Sequence, residues 1–239
     1  MLWAAACTPA PAPADGSPGA AACRLRPDDD TVALYAFEDE DPSIVEDALG
    51  GPSGTVVGPL RRTRGTGGCG RALTFVRDGD GAVVVPADQR FDLPSGAIEL
   101  LFRPFLCGQG EGGAASAIVT RGPIAGEMPG HLLLGWDERC RVVVRLRGEA
   151  DAVVATSAAE LPIEAWHSLA VRFGPGSVEL WQNGTLVGGA EADDLVGLGL
   201  VVDPWVFGAH AGAGGAPLTS VLGVADLDAV RIRRRRDAP

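Results

Sequence analysis

The sequence has no lysine: all 20 basic residues are arginine, set against 31 aspartates and glutamates for a net charge of −11 and a pI near 4.7. Such an acidic chain is a poor match for nucleic acid or an anionic lipid surface. No run approaches the roughly 18 consecutive apolar residues of a transmembrane helix. The five cysteines form no Cys-x-x-Cys pair, against the common zinc-site and thioredoxin-like patterns. Also missing are a Gly-x-Ser-x-Gly elbow, a His-Glu-x-x-His pair and the glycine loops that cradle nucleotides, while the three histidines are scattered. What is present is 239 residues at 46% hydrophobic and 21% charged, with mean hydropathy +0.15, enough for a core that needs no staples. The 34 glycines and 18 prolines promise many turns.

From Thr31 onward short apolar runs of period two alternate with Gly, Pro and Asp clusters, and no long helical stripe appears. In residues 97–105, Ile98, Leu100 and Phe102 share one strand face while Glu99 and Arg103 share the other; Val142, Val144 and Leu146 repeat the pattern against Arg141, Arg145 and Arg147. Further strands are expected at 31–37, 72–76, 82–86, 117–120, 131–136, 167–173, 177–182, 185–187, 204–208 and 227–233. So many strands in one open sheet leave an apolar face in water, so the expected fold is all-β, two packed antiparallel sheets in a single β-sandwich, with Leu169, Val171, Val178 and Leu180 also inside. Asn183-Gly184 between two strand patterns predicts a type I′ hairpin turn, a reading that outweighs the glycosylation sequon Asn183-Gly184-Thr185. The Gly-rich stretches 107–116, 121–130, 188–203 and 209–220 read as surface loops, where ligand contacts are expected.

Residues 1–7 end in Ala4-Ala5-Ala6-Cys7 and resemble the end of a bacterial lipoprotein signal, with Cys7 the lipidated residue. The segment has no basic start and too short an apolar run, so a longer reading frame upstream is expected; the alternative is a tail with an incidental cysteine. Residues 8–30 form a Pro/Ala/Gly-rich linker, 31–233 the sandwich and 234–239 a basic tail.

Four blocks, in order, resemble the laminin-G-like, concanavalin A-like jelly-roll family of bacterial extracellular proteins. They are Val32–Glu38 with Val45–Gly51, Gly68–Phe75 with Asp78–Pro86, Trp166–Val171 with Glu179–Gly184, and Val206–Ala209 with Leu227–Ile232. The resemblance implies a binding or adhesion fold: a non-catalytic module for a glycan or a cell-surface protein, exported, and touching a membrane only through a lipid anchor. A structural envelope lipoprotein without a small ligand, or a glycoside hydrolase or lyase of the same fold, are the alternatives.

Catalysis in this architecture needs two carboxylates on one face, which the resemblance places in a Glu-x-Asp-x-x-Glu strand. The chain lacks it, and the cluster Glu38-Asp39-Glu40-Asp41-Pro42 reads as a solvated strand end. Asp228 shares strand parity with Val230 and Ile232, so its carboxylate is expected to point inward and to need a partner. The resemblance suggests calcium held by Asp228, Glu38 and Asp47; hydrogen bonds to backbone amides or an arginine partner are the competing answer. With Cys7 lipidated, Cys23, Cys69, Cys107 and Cys140 suit two disulfides of undetermined pairing. Trp136, Trp181 and Trp205 are the candidate sugar-stacking residues, each weighed against a place in the core. His167 reads as structural.

Overall fold

The computed structural model describes residues 25–76, 81–108, 116–122, 128–198, 203–212, 217–218 and 224–235. Cys7, Cys23, Asp78 and Asp80 lie outside them. Strands in chain order are β1 (Thr31–Tyr35), β2 (Ile44–Val45), β3 (Gly54–Val57), β4 (Arg61–Arg64), β5 (Arg71–Phe75), β6 (Ala82–Val85), β7 (Gly96–Pro104), β8 (Ser116–Arg121) and β9 (Leu132–Trp136). They continue as β10 (Val142–Arg147), β11 (Ala152–Thr156), β12 (His167–Gln182), β13 (Thr185–Val196), β14 (Trp205–Phe207), β15 (His210–Ala211), β16 (Pro217–Leu218) and β17 (Ala225–Arg234). The first sheet runs β13-β12-β7-β17-β5-β4, with β1 also paired to β17; the second runs β11-β10-β9-β8-β14-β6-β3-β2. β15 and β16 make a separate two-stranded ribbon. Among the described residues the only helical pieces are two single 3-10 turns, Thr66–Gly68 and Gln89–Phe91. No helix in the described residues is long and apolar enough to cross a membrane.

The ten side chains expected inside are all buried in one cluster between the sheets: Ile98, Leu100, Phe102, Val142, Val144, Leu146, Leu169, Val171, Val178 and Leu180. Period-two alternation is sufficient here because each sheet has one dry face. Edge-to-face aromatic pairs fill the layer: Phe102 on Trp136 with centroids 4.9 Å apart, Tyr35 on Phe207 at 5.5 Å, and Phe91 on Trp205 at 6.0 Å. Pairs of this kind add about 0.5–1.5 kcal/mol beyond area burial.

β12 is folded back on itself. Its first half pairs with β7 and its second half with β13, and the Asn183 N–H donates to the Ser168 carbonyl at 2.8 Å. The reversal occurs at Pro175 and Gly176, where Gly176 has φ +82°, so two strands are present, as the pattern at 167–173 and 177–182 predicts. The Asn183-Gly184 turn has φ of +49° and +78°, as a type I′ hairpin requires.

Two expectations change. Residues 188–196 are not loop: they continue β13, the end strand of the first sheet, whose Val187 and Asp194 carbonyls also accept from Ala158 N at 3.0 Å and Glu149 N at 3.1 Å. Asp228 also does not point inward. β17 carries a bulge at Ala229 (φ +56°), so Leu227 stands opposite Phe102, Asp228 opposite Leu101 and Val230 opposite Leu100. The extra residue shifts parity by one, putting Asp228 on the outer face while Leu227, Val230 and Ile232 stay inside.

Candidate functional site

The outer face of the first sheet follows from the same registers. Opposite the inward side chains of β7 stand Glu99 and Arg103, and opposite those of β12 stand Ser168, Ala170, Arg172, Glu179 and Trp181. Ser168 and Ala170 are short, and with taller neighbours on both sides they leave a groove of about 230 Å³. Trp181, Arg172 and Gly184 bound it on the hairpin side and Glu99 on the β7 side, with Leu25 also against it. The indole of Trp181 is held in place: its N–H donates to Glu179 Oε2 at 2.9 Å, and the Arg172 guanidinium lies 4.2 Å from the ring centroid. Arg172 keeps a side-chain exposure of 46%, and its contact with Glu179 is long at 4.0 Å. Glu99 is committed elsewhere. Arg231 Nε donates to its Oε2 at 2.7 Å, joined by Arg231 Nη2, and Arg233 Nη1 donates to Oε1 at 3.2 Å. Both oxygens of the carboxylate nearest the groove are thus occupied by guanidinium groups.

The protein is similar to known β-sandwich domains in fold. Domain 4 of AbnA, an extracellular GH43 arabinanase from Geobacillus stearothermophilus solved in complex with arabinotriose, matches with TM-score 0.63 at 17% identity, over 86% of this chain and 92% of that one. The binding domain of Paraclostridial Mosquitocidal Protein 1 matches with TM-score 0.66 at 12% identity, over 88% of this chain and 50% of that one. Trypanosoma rangeli sialidase matches with TM-score 0.63 at 14% identity, where the chain spans only 32% of the enzyme. No protein-family model matches the chain. No curated protein matches its sequence.

Of the three tryptophans expected to stack on sugar, only Trp181 is partly exposed. Trp136 is 2% exposed, packs on Phe102 and donates its indole N–H to the Leu106 carbonyl at 2.9 Å. Trp205 is fully buried between Phe91 and the Arg121 guanidinium, 5.4 Å from its ring. Both are core residues because their strand parity points them between the sheets, and neither offers a face to a ligand.

The three carboxylates proposed for calcium each meet main-chain amides. Asp47 Oδ1 accepts from Leu34 N at 2.9 Å and Leu49 N at 3.1 Å, and its Oδ2 from Gly51 N at 2.9 Å and Arg90 Nη1 at 3.4 Å. Asp228 Oδ2 accepts from Thr66 N at 2.7 Å, and Glu38 Oε1 from Arg71 N at 3.2 Å. Glu38 and Asp228 therefore grip the two ends of one turn, 65–71, while Asp47 is fixed beside β1. Among the described residues no group of three or more His, Cys, Asp or Glu side chains is placed to hold a metal ion.

His167 is buried, with Nε2 2.8 Å from the Pro162 carbonyl and Nδ1 3.5 Å from Asn183 Nδ2. That assigns the proton to Nε2, and burial lowers the pKa below the usual histidine value, partly offset by the Pro162 hydrogen bond. Cys107 is bonded to Cys140, tying the segment after β7 to the β9–β10 turn, and Cys69 is also disulfide-bonded.

Sequence reasoning passed over Trp166. This indole stacks on Arg103, with the guanidinium carbon 4.8 Å from its ring centroid and 5.1 Å from that of Phe105. The signal was available: Trp166 has the parity of Ser168 and Ala170, the outward residues of β12.

Proposed function

We propose that this protein is a non-catalytic carbohydrate-binding module of the laminin-G-like type, acting outside the cell, with the groove beside Trp181 as its sugar site. The observation that carries the reading is the partly exposed Trp181 indole, fixed by Glu179 and Arg172 at the side of a groove floored by Ser168 and Ala170. A flat pre-oriented ring stacks on the apolar face of a sugar at little entropic cost, and Ser168 and Arg172 supply polar contacts to hydroxyls. The disulfides favour an oxidising compartment. The fold likeness to domain 4 of AbnA, solved with arabinotriose, supports the same class of ligand.

Turnover is not part of the proposal. A glycosidase needs a proton-donating acid facing a second carboxylate, whereas Glu99 is clamped by Arg231 and Arg233 and Glu179 is engaged by an indole N–H. Affinity electrophoresis through arabinan, xylan, β-glucan, pectin and chitin, paired with reducing-sugar release, tests both statements. Retardation that Trp181→Ala removes, without sugar release, is expected. Sustained release lost in Glu99→Gln or Glu179→Gln makes the protein a hydrolase, and no retardation by any polysaccharide makes the structural or surface-protein reading the better one.

A further inference from the structure

We infer that the ligand is an extended oligosaccharide lying along β12 and resting on two indoles, Trp181 and Trp166. The inference rests on the reading of the groove just given and adds to it the length and direction of what binds.

Trp166 and Trp181 face the same way. Arg103 belongs to the outer face of β7, since it stands opposite Asp226 across the β7–β17 ladder and its Nε donates to Asp226 Oδ2 at 2.9 Å. The Trp166 ring packs on that same guanidinium, and the antiparallel register, with His167 opposite Phe102, continues to Trp166 opposite Arg103. Trp181 reaches the outer face at the other end of the groove, where Ala170 lies between it and Glu99. The groove is floored by Ala170 and Ser168 and bounded by Gly184; Trp166 lies outside its lining, at the next outward position past Ser168 along the chain. From Ala170 back to Trp166 is four residues of strand, about 13 Å at 3.3 Å per residue, further than a single pyranose ring reaches.

The two ends are built alike. Each indole carries an arginine on its ring, Arg172 on Trp181 and Arg103 on Trp166, and each arginine has a carboxylate, Glu179 and Asp226. Asp226 is in turn fixed by Thr74 Oγ1 at 2.6 Å. Both indoles are therefore pre-oriented platforms, and the small residues between them let a chain pass from one to the other. A terminal single sugar uses only Trp181, and a linear chain uses both.

The test measures affinity by titration calorimetry for arabino-, xylo-, gluco- and galacturono-oligosaccharides from the monosaccharide to the hexasaccharide. The expected result is affinity that rises with chain length and then levels off. Trp166→Ala, with an unchanged melting midpoint, lowers the affinity for the longest member about fivefold and leaves the shortest unchanged, while Trp181→Ala weakens every member. Trp166→Phe, which keeps an aromatic ring, falls between. Should Trp166→Ala alter the fold, the length dependence of the unsubstituted protein decides alone. Binding that Trp181→Ala removes but that is indifferent to length and to Trp166 overturns this inference and leaves the groove reading intact. No binding of any oligosaccharide overturns both.

Discussion

The Arg172 guanidinium and the Trp181 indole share one carboxylate: Glu179 Oε2 accepts the indole N–H at 2.9 Å and lies 4.0 Å from Arg172 Nη1, while the guanidinium carbon sits 4.2 Å from the ring centroid. Stacking on a half-exposed arginine contributes less than about 1 kcal/mol to stability, and the long ion pair adds little. The cluster's value lies in fixing the ring. Arg172→Ala and Glu179→Ala are each expected to shift urea-unfolding stability by less than about 1 kcal/mol, yet to weaken polysaccharide retardation severalfold by freeing the indole. Retardation unchanged in both variants would detach the triad from binding.

Asp228 has a different role. Its Oδ2 takes the Thr66 N–H at 2.7 Å, and Gly65 is so close that an added Cβ would lie 2.6 Å from the same oxygen. Asp228 is 4% exposed, under the 65–71 turn. Asp228→Ala leaves a buried amide without its acceptor and is expected to cost about 1–3 kcal/mol in urea unfolding. Melts in calcium and in EDTA separate an amide anchor from a cation ligand. Equal midpoints fit the anchor; a midpoint raised by calcium, and no longer raised in Asp228→Asn, assigns the residue to a cation site.

Sheet faces were legible in the sequence wherever a strand alternates without interruption, as in Gly96–Pro104 and Val142–Arg147, because side-chain period alone decides which atoms meet water. Asp228 was misread because a bulge at an ordinary alanine leaves no mark in composition, yet it reverses the face of everything before it. The short strands β2, β3 and β4, of two to four residues, were passed over because stretches so short show no period; β11 (Ala152–Thr156) was not expected either, and the stretch 209–220 expected as loop holds the paired β15 and β16. Gly188 and Gly189 suggested loop, although the edge strand accepts them: an added Cβ at Gly188 would come within 2.6 Å of the Thr156 carbonyl. Trp181 was found by parity and Trp166 missed because His167 drew the reading. That Trp181 comes to lie beside Ala170 and Ser168, at the side of the groove, depends on the fold-back of β12, which local pattern does not encode.

His167 gives a pH dependence whose sign is fixed. Burial lowers its pKa from 6.5 in the folded protein, so above that value histidine is neutral in both states and costs nothing. As pH falls below about 6.5 the unfolded chain takes up a proton that the folded one refuses, and stability declines until the folded pKa is passed. Asp28, Asp41, Asp88, Asp137 and Asp194 have lowered pKa values, and their contribution is lost only at lower pH, as the carboxylates protonate. Urea unfolding at pH 7.5, 6.5 and 5.5 should show a decline that is flatter in His167→Gln, whose amide can still donate to the Pro162 carbonyl. Parallel curves would remove His167 as the cause.

Arg121 closes one end of the sandwich, and its loss should be the most damaging of these changes. The side chain has no solvent exposure; Nη1 donates to the carbonyls of Phe91 at 2.6 Å and Leu198 at 3.0 Å, and Nη2 lies 3.4 Å from Asp92 Oδ1. It thereby joins the turn Gln89–Phe91 to the end of the β13 segment, above the buried Trp205 ring. Burial alone lowers its pKa, and the nearby Asp92 carboxylate opposes this. Arg121→Met keeps much of the stem volume but leaves two buried carbonyls without donors and Asp92 without its cation, a loss on the order of 3 kcal/mol. Arg121→Lys should recover little, because one ammonium at the end of a flexible stem lacks the rigid fork that meets both carbonyls. Urea unfolding followed by tryptophan fluorescence measures the loss, and near-ultraviolet circular dichroism reports whether Trp205 keeps its setting. Since the Trp181 groove lies on the outer face of the opposite sheet, folded Arg121→Met should still be retarded by the same polysaccharides. Stability within about 0.5 kcal/mol of the parent in both variants would show that this end of the sandwich holds together without the arginine.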